Sequence, residues 1–123
     1  MKKLGLALLF VPDLAVAKHF YAIVLGLPLK SEDENRLVFA LEGLDLAAFR
    51  CEEGADPNRY SQRAGTSFAF EVASLEKEIE RLKAQGVQVL HDTPGENELG
   101  RYAAFVDPFG IVHEVFEPRR GGA

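Results

Sequence analysis

The sequence predicts an α+β fold built from two copies of one β-α-β-β-β module. Each copy contains a helix that begins at a capping residue, Asp13 or Ser74, and ends at a glycine, Gly26 or Gly86. The caps lie 61 positions apart and the glycines 60 positions apart, so the same helix recurs at a nearly constant interval. Short apolar stretches separated by turn residues accompany each helix, as is typical of strands.

The first module is predicted to span residues 4–52. It opens with an apolar strand at 4–11, and a helix follows at 14–25 with an apolar stripe at helical spacing. Three short strands are then predicted at 27–30, 36–41 and 44–49, with the turn between the last two at Glu42-Gly43. The stripe that the helix turns toward the sheet consists of Ala17, Phe20, Tyr21, Val24 and Leu25.

The second module, residues 66–117, follows a connector at 53–65 that lacks periodicity. A strand at 66–72 precedes a helix whose stripe is Leu75, Ile79 and Leu82, and strands follow at 87–90, 102–106 and 111–117. Asp107-Pro108-Phe109-Gly110 predicts a type I turn between the last two strands. We expect both modules to belong to a single domain, residues 1–123.

Composition restricts the classes of partner. The chain has 123 residues, 47% of them hydrophobic and 27% charged, with a net charge of -5, which is typical of a globular domain and argues against binding to nucleic acid or to an anionic membrane. The single cysteine, Cys51, fits a reducing compartment. The apolar start of the chain resembles a signal peptide, but Asp13 interrupts it, so we interpret it as a strand and expect a soluble, cytoplasmic protein.

Several motifs together resemble the vicinal oxygen chelate superfamily, the group of glyoxalase I, bleomycin-resistance proteins and extradiol dioxygenases. They are Asp13-Leu14, Phe20-Tyr21, Leu25-Gly26-Leu27, Gly86-Val87, Gly100-Arg101 and the 107–110 turn followed by Glu114. The resemblance covers residues 4–117 and implies two βαβββ modules that form a cupped mixed sheet, usually in a homodimer. Its concave face is where members of this superfamily bind ligands.

The resemblance also assigns four positions to metal ligands in the metal-dependent members. Leu6 and Ser67 occupy the first-strand positions, and Asp45 and Glu114 occupy the last-strand positions. Two carboxylates form a weak site for a divalent metal, since such sites normally need three or four protein ligands. We therefore expect no cofactor; if a metal binds, Asp45 and Glu114 are its ligands, with Glu71 as a further candidate.

The remaining candidates belong to a partly apolar, partly acidic ligand site. Glu114 is a possible general base or counter-charge. Among the histidines, His113 should point away from the cup because it is adjacent to Glu114 in a strand, whereas His91 opens a long loop at 91–101 that can contact a ligand. Tyr60 on the connector is a possible rim contact. The full set of predicted ligand-binding residues is Leu6, Phe10, Asp45, Phe49, Ser67, Glu71, His91, Arg101, Tyr102, Glu114 and Phe116.

Three functions are compatible with the sequence. The first is a metal-independent, small-molecule-binding homodimer, favoured because half of the metal positions have lost their ligands. The second is a metal-dependent glyoxalase-type lyase or isomerase, or a dioxygenase, acting on a substrate with vicinal oxygens. The third is a non-catalytic structural dimer module whose cup is filled by its own side chains. The absence of Trp weakens a specific assignment to bleomycin binding, because Leu99 precedes Gly100-Arg101 where related proteins commonly carry Trp.

Overall fold

A computed structural model of the chain describes residues 1, 6–52, 57–59, 66–97 and 99–119. The chain forms two compact units, Met1–Gly54 and Ala55–Ala123, which we call unit 1 and unit 2. The predicted start of the first strand at Leu4, most of the connector at 53–65 and the candidate Tyr60 lie outside the described residues.

Unit 1 has the predicted β-α-β-β-β order. Its strands are β1 (Ala7–Val11), β2 (Leu29–Glu32), β3 (Arg36–Leu41) and β4 (Leu44–Arg50), and its helix α1 (Leu14–Lys18) lies between β1 and β2. The sheet order is β1-β4-β3-β2, with β1 parallel to β4 and the other pairs antiparallel. One face of the sheet and the helical segment form the core, which contains Leu9, Val11, Ala17, Phe20, Tyr21, Val24, Leu37, Phe39, Leu46 and Ala48.

The first helix departs from the prediction in its second half. The Asp13 carboxylate accepts a hydrogen bond from the Val16 amide at 3.0 Å, so the predicted cap is confirmed. After Lys18, however, the chain continues as a π-helix at His19–Val24, which ends one residue before the predicted Leu25. The wider turn accompanies the burial of two consecutive aromatic residues, Phe20 and Tyr21, whose rings pack edge to face at 5.1 Å.

Unit 2 repeats the order with one addition. A short 3-10 turn at Pro57–Arg59 precedes β5 (Ala69–Glu71), α2 (Leu75–Ala84), β6 (Gln88–Val89), β7 (Gly95–Glu96), β8 (Gly100–Val106) and β9 (Val112–Pro118). The sheet order is β5-β9-β8-β6, with β5 parallel to β9, and β7 also pairs with β8. The prediction of a loop over all of 91–101 is therefore wrong at two places, because residues 95–96 form β7 and residues 100–101 belong to β8.

The predicted turn signals of unit 2 are confirmed. Ser74 caps α2 by accepting a hydrogen bond from the Lys77 amide, and the helix is followed by Gly86 at φ +80°. At the turn between β8 and β9, the buried Asp107 accepts hydrogen bonds from the amides of Phe109 and Ile111 at 2.9 and 2.8 Å. The strands are shifted from the predicted bounds by up to three residues, most of all at β5.

Candidate functional site

The two faces of the unit 2 sheet carry different chemistry, and Glu114 lies at the middle of one of them. In β9, Glu114 is opposite Ala69 of β5 on one side and Ala104 of β8 on the other. One row further along, Phe116 is opposite Glu71 and Tyr102. Because side chains alternate between the faces of a strand, all these residues share one face, which we call the Glu114 face.

A small cavity lies on the Glu114 face. Ala69 beside Glu114 leaves space on this face, and the larger side chains of Tyr102 and Phe116 stand next to that space. The cavity measures about 90 Å³, and its lining consists of Ala69, Asn97, Leu99, Gly100, Arg101, Tyr102, Glu114 and Phe116. The structure thus brings four predicted residues, Arg101, Tyr102, Glu114 and Phe116, to one cavity.

The Glu114 carboxylate is the acidic group in this lining. Its residue is half-buried, and its backbone amide donates a hydrogen bond to the carbonyl of Phe68 at 2.7 Å, which fixes the strand at this point. Among the residues that the structure describes, none forms an ion pair or a side-chain hydrogen bond with this carboxylate. Its charge is therefore available to a ligand that enters the cavity.

Arg101 is part of the cavity lining, but its position in β8 directs the side chain to the opposite face of the sheet, where the guanidinium is engaged. One terminal nitrogen is bonded to Glu76 on α2, and the other lies 3.4 Å from a carboxylate oxygen of Glu117. The hydrogen bond between Arg101 and Glu76 lowers the pKa of the Glu76 carboxyl and raises the pKa of the Arg101 guanidinium. Since Arg101 faces Glu117 across the β8–β9 pair, its charge is directed at these two carboxylates.

His113 lies on the opposite face of the sheet from Glu114, as the alternation of the strand predicts. Only 1% of its surface is exposed, and its ring is 5.6 to 5.8 Å from the rings of Phe68, Phe70 and Phe105. Burial among these aromatic groups lowers the pKa of His113 to about 4. The imidazole is therefore neutral at physiological pH and belongs to the core of unit 2.

Three further predicted residues of unit 2 do not line the cavity. The Ser67 hydroxyl donates a hydrogen bond to the carbonyl of Val112 at 2.9 Å, and Glu71 is exposed in the row beyond Glu114. His91 accepts a hydrogen bond from the Ala104 amide through Nδ1 at 2.9 Å, so its imidazole is anchored to β8. That these three residues bind a ligand stays a prediction.

The predicted site residues of unit 1 share one face of that unit's own sheet. Leu6 and Phe10 are 46% and 57% exposed, and the rings of Phe10 and Phe49 are 6.4 Å apart. Asp45 is bonded to Lys30, with 2.7 Å between a carboxylate oxygen and Nζ. The role of these four residues in ligand binding is likewise a prediction that the structure of unit 1 does not test.

The predicted metal positions lie in different surroundings within each unit. Within the described ranges, no three His, Cys, Asp or Glu side chains come together in a way that could hold a metal ion. In unit 2, the predicted position that accompanies Glu114 is Ser67, which lies just before β5 and donates its hydroxyl hydrogen to the carbonyl of Val112. In unit 1, the carboxylate of Asp45 is paired with Lys30. The predictions that no cofactor is needed and that Asp45 and Glu114 would hold any metal therefore stay predictions.

Sequence reasoning missed four members of the cavity. Asn97, Leu99 and Gly100 lie in the segment 91–101, and the short pairing of β7 with β8 in that segment has no apolar periodicity that would predict it. Ala69 lacks a functional group, so only its register opposite Glu114 identifies it. The signal that could have found it is the small size of the residues predicted to flank a central carboxylate.

The chain thus combines two β-α-β-β-β units with a carboxylate at the centre of one sheet and a small cavity beside that carboxylate. This combination defines the class of protein. A family model described as the Glyoxalase/Bleomycin resistance protein/Dioxygenase superfamily matches residues 3–115. The chain belongs to this superfamily, and the predicted resemblance and fold class are confirmed.

Solved structures share the fold at low sequence identity. A glyoxalase/dioxygenase from Nostoc punctiforme has a TM-score of 0.80 at 21% identity, with 97% of this chain and 92% of that chain covered. The fosfomycin resistance protein FosX from Listeria monocytogenes has a TM-score of 0.78 at 20% identity, covering 99% and 98%. Lactoylglutathione lyase from Agrobacterium tumefaciens has a TM-score of 0.72 at 21% identity, covering 95% and 94%. A comparison with curated proteins found no match.

No helix among the described residues has both the length and the apolar character that crossing a membrane requires.

Proposed function

We propose that this chain is a metal-independent, small-molecule-binding homodimer, and that the cavity beside Glu114 receives a flat head group carrying a positive charge or hydrogen-bond donors. The observation that carries this proposal is the Glu114 carboxylate, which has no charged partner among the described residues and lies between small alanines and aromatic walls. An apolar site with a few polar groups that fix orientation is the usual form of a small-molecule site.

The size of the cavity limits what it can hold. A volume of about 90 Å³ is well below the roughly 300 Å³ at which typical ligand sites begin. The cavity therefore accommodates one ring or one head group, and the rest of a larger ligand extends beyond it. Tyr102 and Phe116 supply aromatic surface for that ring, and Glu114 supplies the counter-charge.

The negative charge of Glu114 argues against anionic ligands of the kind named for some relatives. A phosphonate or a glutathione adduct is anionic and needs a free cation, whereas the guanidinium of Arg101 points to the opposite face of the sheet, where it is shared by Glu76 and Glu117. A cationic or neutral donor avoids repulsion from Glu114. Glu114 can also act as a general base toward such a ligand, because a carboxylate accepts the proton that the ligand's donor group carries.

A set of isosteric one-ring probes tests the proposal. We would titrate the protein with benzamidine, benzamide and benzoate, which differ mainly in charge, and follow binding by NMR. Benzamidine should bind most tightly, and Glu114→Gln should weaken it by about tenfold or more, because a hydrogen bond to a charged group contributes roughly 1.5–3 kcal/mol.

The matched control is Glu71→Gln, since Glu71 lies on the same face but does not line the cavity. This variant should bind benzamidine as the wild type does. Equal binding of benzoate and benzamidine, or equal losses in the two variants, would contradict the role of Glu114. A cavity that takes none of the probes would favour the structural dimer module.

Metal content and mass complete the test. Elemental analysis of untagged protein, before and after dialysis against Ni, Zn, Mn and Fe(II), should find no stoichiometric ion. An ion bound at one per chain and lost in Glu114→Gln would refute metal independence and favour the glyoxalase-type lyase or isomerase, or the dioxygenase. FosX, a neighbour in fold, is described in complex with Mn(II). Light scattering should give the mass of a dimer, and a monomer would contradict that part of the proposal.

A further inference from the structure

One edge of β8 is covered by two separate short strands. β6 pairs with the end of β8 at Phe105 and Val106, and β7 pairs with its beginning at Arg101 and Tyr102. The amide of Leu90 extends the β6 pairing by donating to the carbonyl of Ala104 at 2.8 Å. Between these pairings, residues 91–94 stand opposite Ala103 alone. Residues 91–94 therefore form an enlarged β-bulge beside the row that contains Glu114.

The bulge leaves one backbone donor of β8 without the strand acceptor that an uninterrupted ladder would supply. That donor is the amide of Ala104, which is fully buried, and a buried amide without a partner is costly. Nδ1 of His91 accepts its hydrogen at 2.9 Å. The imidazole thus takes the place of a backbone carbonyl in the ladder.

This contact determines the state of the imidazole. A ring nitrogen can accept a hydrogen bond only when it carries no proton, so Nδ1 is unprotonated and the ring hydrogen is on Nε2. The structure consequently assigns His91 the neutral Nε2-protonated tautomer. An acceptor of similar reach, such as the side-chain oxygen of Asn, could make the same bond, whereas an apolar side chain could not.

The same imidazole contacts a wall of the cavity. Its ring meets that of Tyr102 edge to face, with 5.6 Å between centroids and 85° between planes. A Cβ added at Gly95 would overlap the Cζ, Oη and Cε1 atoms of Tyr102. A glycine at this position is therefore needed to leave room for the Tyr102 ring. Tyr102 is therefore held by His91 and Gly95 together.

We propose that His91 is a positioning residue for the Glu114 cavity: its hydrogen bond to the Ala104 amide fixes the bulge, and thereby places Tyr102 and the segment bearing Asn97 and Leu99. His91 does not line the cavity itself, so it acts through these residues and not on the ligand. This inference rests on the proposed function for its consequence in binding, but the hydrogen bond, the tautomer and the wall positions can each be measured without a ligand.

The test compares His91→Asn, which keeps an acceptor, with His91→Leu, which removes it, and uses His19→Leu as a control because His19 is an exposed residue of unit 1. In the wild type, imidazole ¹⁵N shifts should show Nδ1 unprotonated. In His91→Leu, the Ala104 amide should exchange its hydrogen about tenfold faster or more. The shifts of the Tyr102 ring and of the Asn97 and Leu99 amides should also move. His91→Asn and His19→Leu should leave these readouts close to wild type.

Binding of benzamidine provides the link to function. We expect its affinity to fall about tenfold in His91→Leu and by no more than about threefold in His91→Asn. A protonated Nδ1 in the wild type, cavity shifts that do not move in His91→Leu, or an Asn variant as impaired as the Leu variant would overturn the proposal. If the wild type fails to bind benzamidine while the ligand-free readouts behave as expected, the proposed function fails and the positioning role of His91 stands.

Discussion

The buried imidazole of His113 should make the stability of this protein depend on pH. Its pKa is about 4 in the folded chain, against 6.5 for an ordinary histidine, because the surrounding rings of Phe68, Phe70 and Phe105 disfavour the charged form. The unfolded chain therefore takes up a proton at a higher pH than the folded chain does. The free energy of unfolding contributed by this residue is fully present above pH 6.5 and falls as the pH decreases toward 4.

The size of the effect follows from the two pKa values. Between about pH 7.5 and about pH 4.5, protonation of the unfolded imidazole should lower the free energy of unfolding by about 2.5 kcal/mol. Carboxylates contribute their own dependence, so the useful quantity is a difference between variants. His113→Phe removes the titrating group and keeps an aromatic ring in the cluster, and its stability relative to wild type should improve by that amount over this pH interval.

The assay is equilibrium unfolding in urea at the two pH values. His19→Gln serves as the control, because His19 is exposed and no buried charge is at stake there. Its difference from wild type should stay within about 0.5 kcal/mol across the interval. If the difference between wild type and His113→Phe is equally constant, the imidazole is not held neutral by burial and the reasoning is refuted.

Two further predictions concern unit 2. Asp107→Ala leaves the amides of Phe109 and Ile111 without their acceptor and should lower the free energy of unfolding by about 2–4 kcal/mol in the same assay. Asp107→Asn keeps a side-chain oxygen and should lower it by less than half as much. Equal losses in the two variants would contradict this account. Leu82→Ala, at a position only 1% exposed, should lower the free energy of unfolding by about 2–5 kcal/mol. Lys83→Ala, on the exposed side of the same helix, should change that free energy little. Similar effects of the two variants would contradict the assigned helix face.

Much of the fold can be predicted from the sequence because its signals are local. Asp13 and Ser74 cap their helices, Gly86 follows the second helix with a positive φ, and Asp107 organises the last turn. Each of these effects depends on a side chain and a backbone group only a few residues apart. The alternation that separates His113 from Glu114 is equally local, since it needs only the assumption of a strand.

The cavity could be predicted only in part, because its walls depend on pairing across the sheet. Glu114, Tyr102 and Phe116 are visible in the sequence as polar or aromatic residues of strands, but the place of Ala69 and Leu99 depends on register. The engagement of Arg101 by Glu76, 25 positions earlier, is likewise set by the packing of α2 against the sheet. Such contacts cannot be inferred from composition or periodicity.

The adjacent pair His113 and Glu114 also protects the fidelity of folding. A shift of β9 by one residue against its neighbours would turn Glu114 into the cluster of Phe68, Phe70 and Phe105 and expose the imidazole in its place. Placing a carboxylate among three aromatic rings costs several kcal/mol, either as desolvation or as forced protonation. The misregistered sheet is thereby disfavoured without any contribution from the turn, so the residue proposed to meet the ligand also selects the native alignment of its own strand.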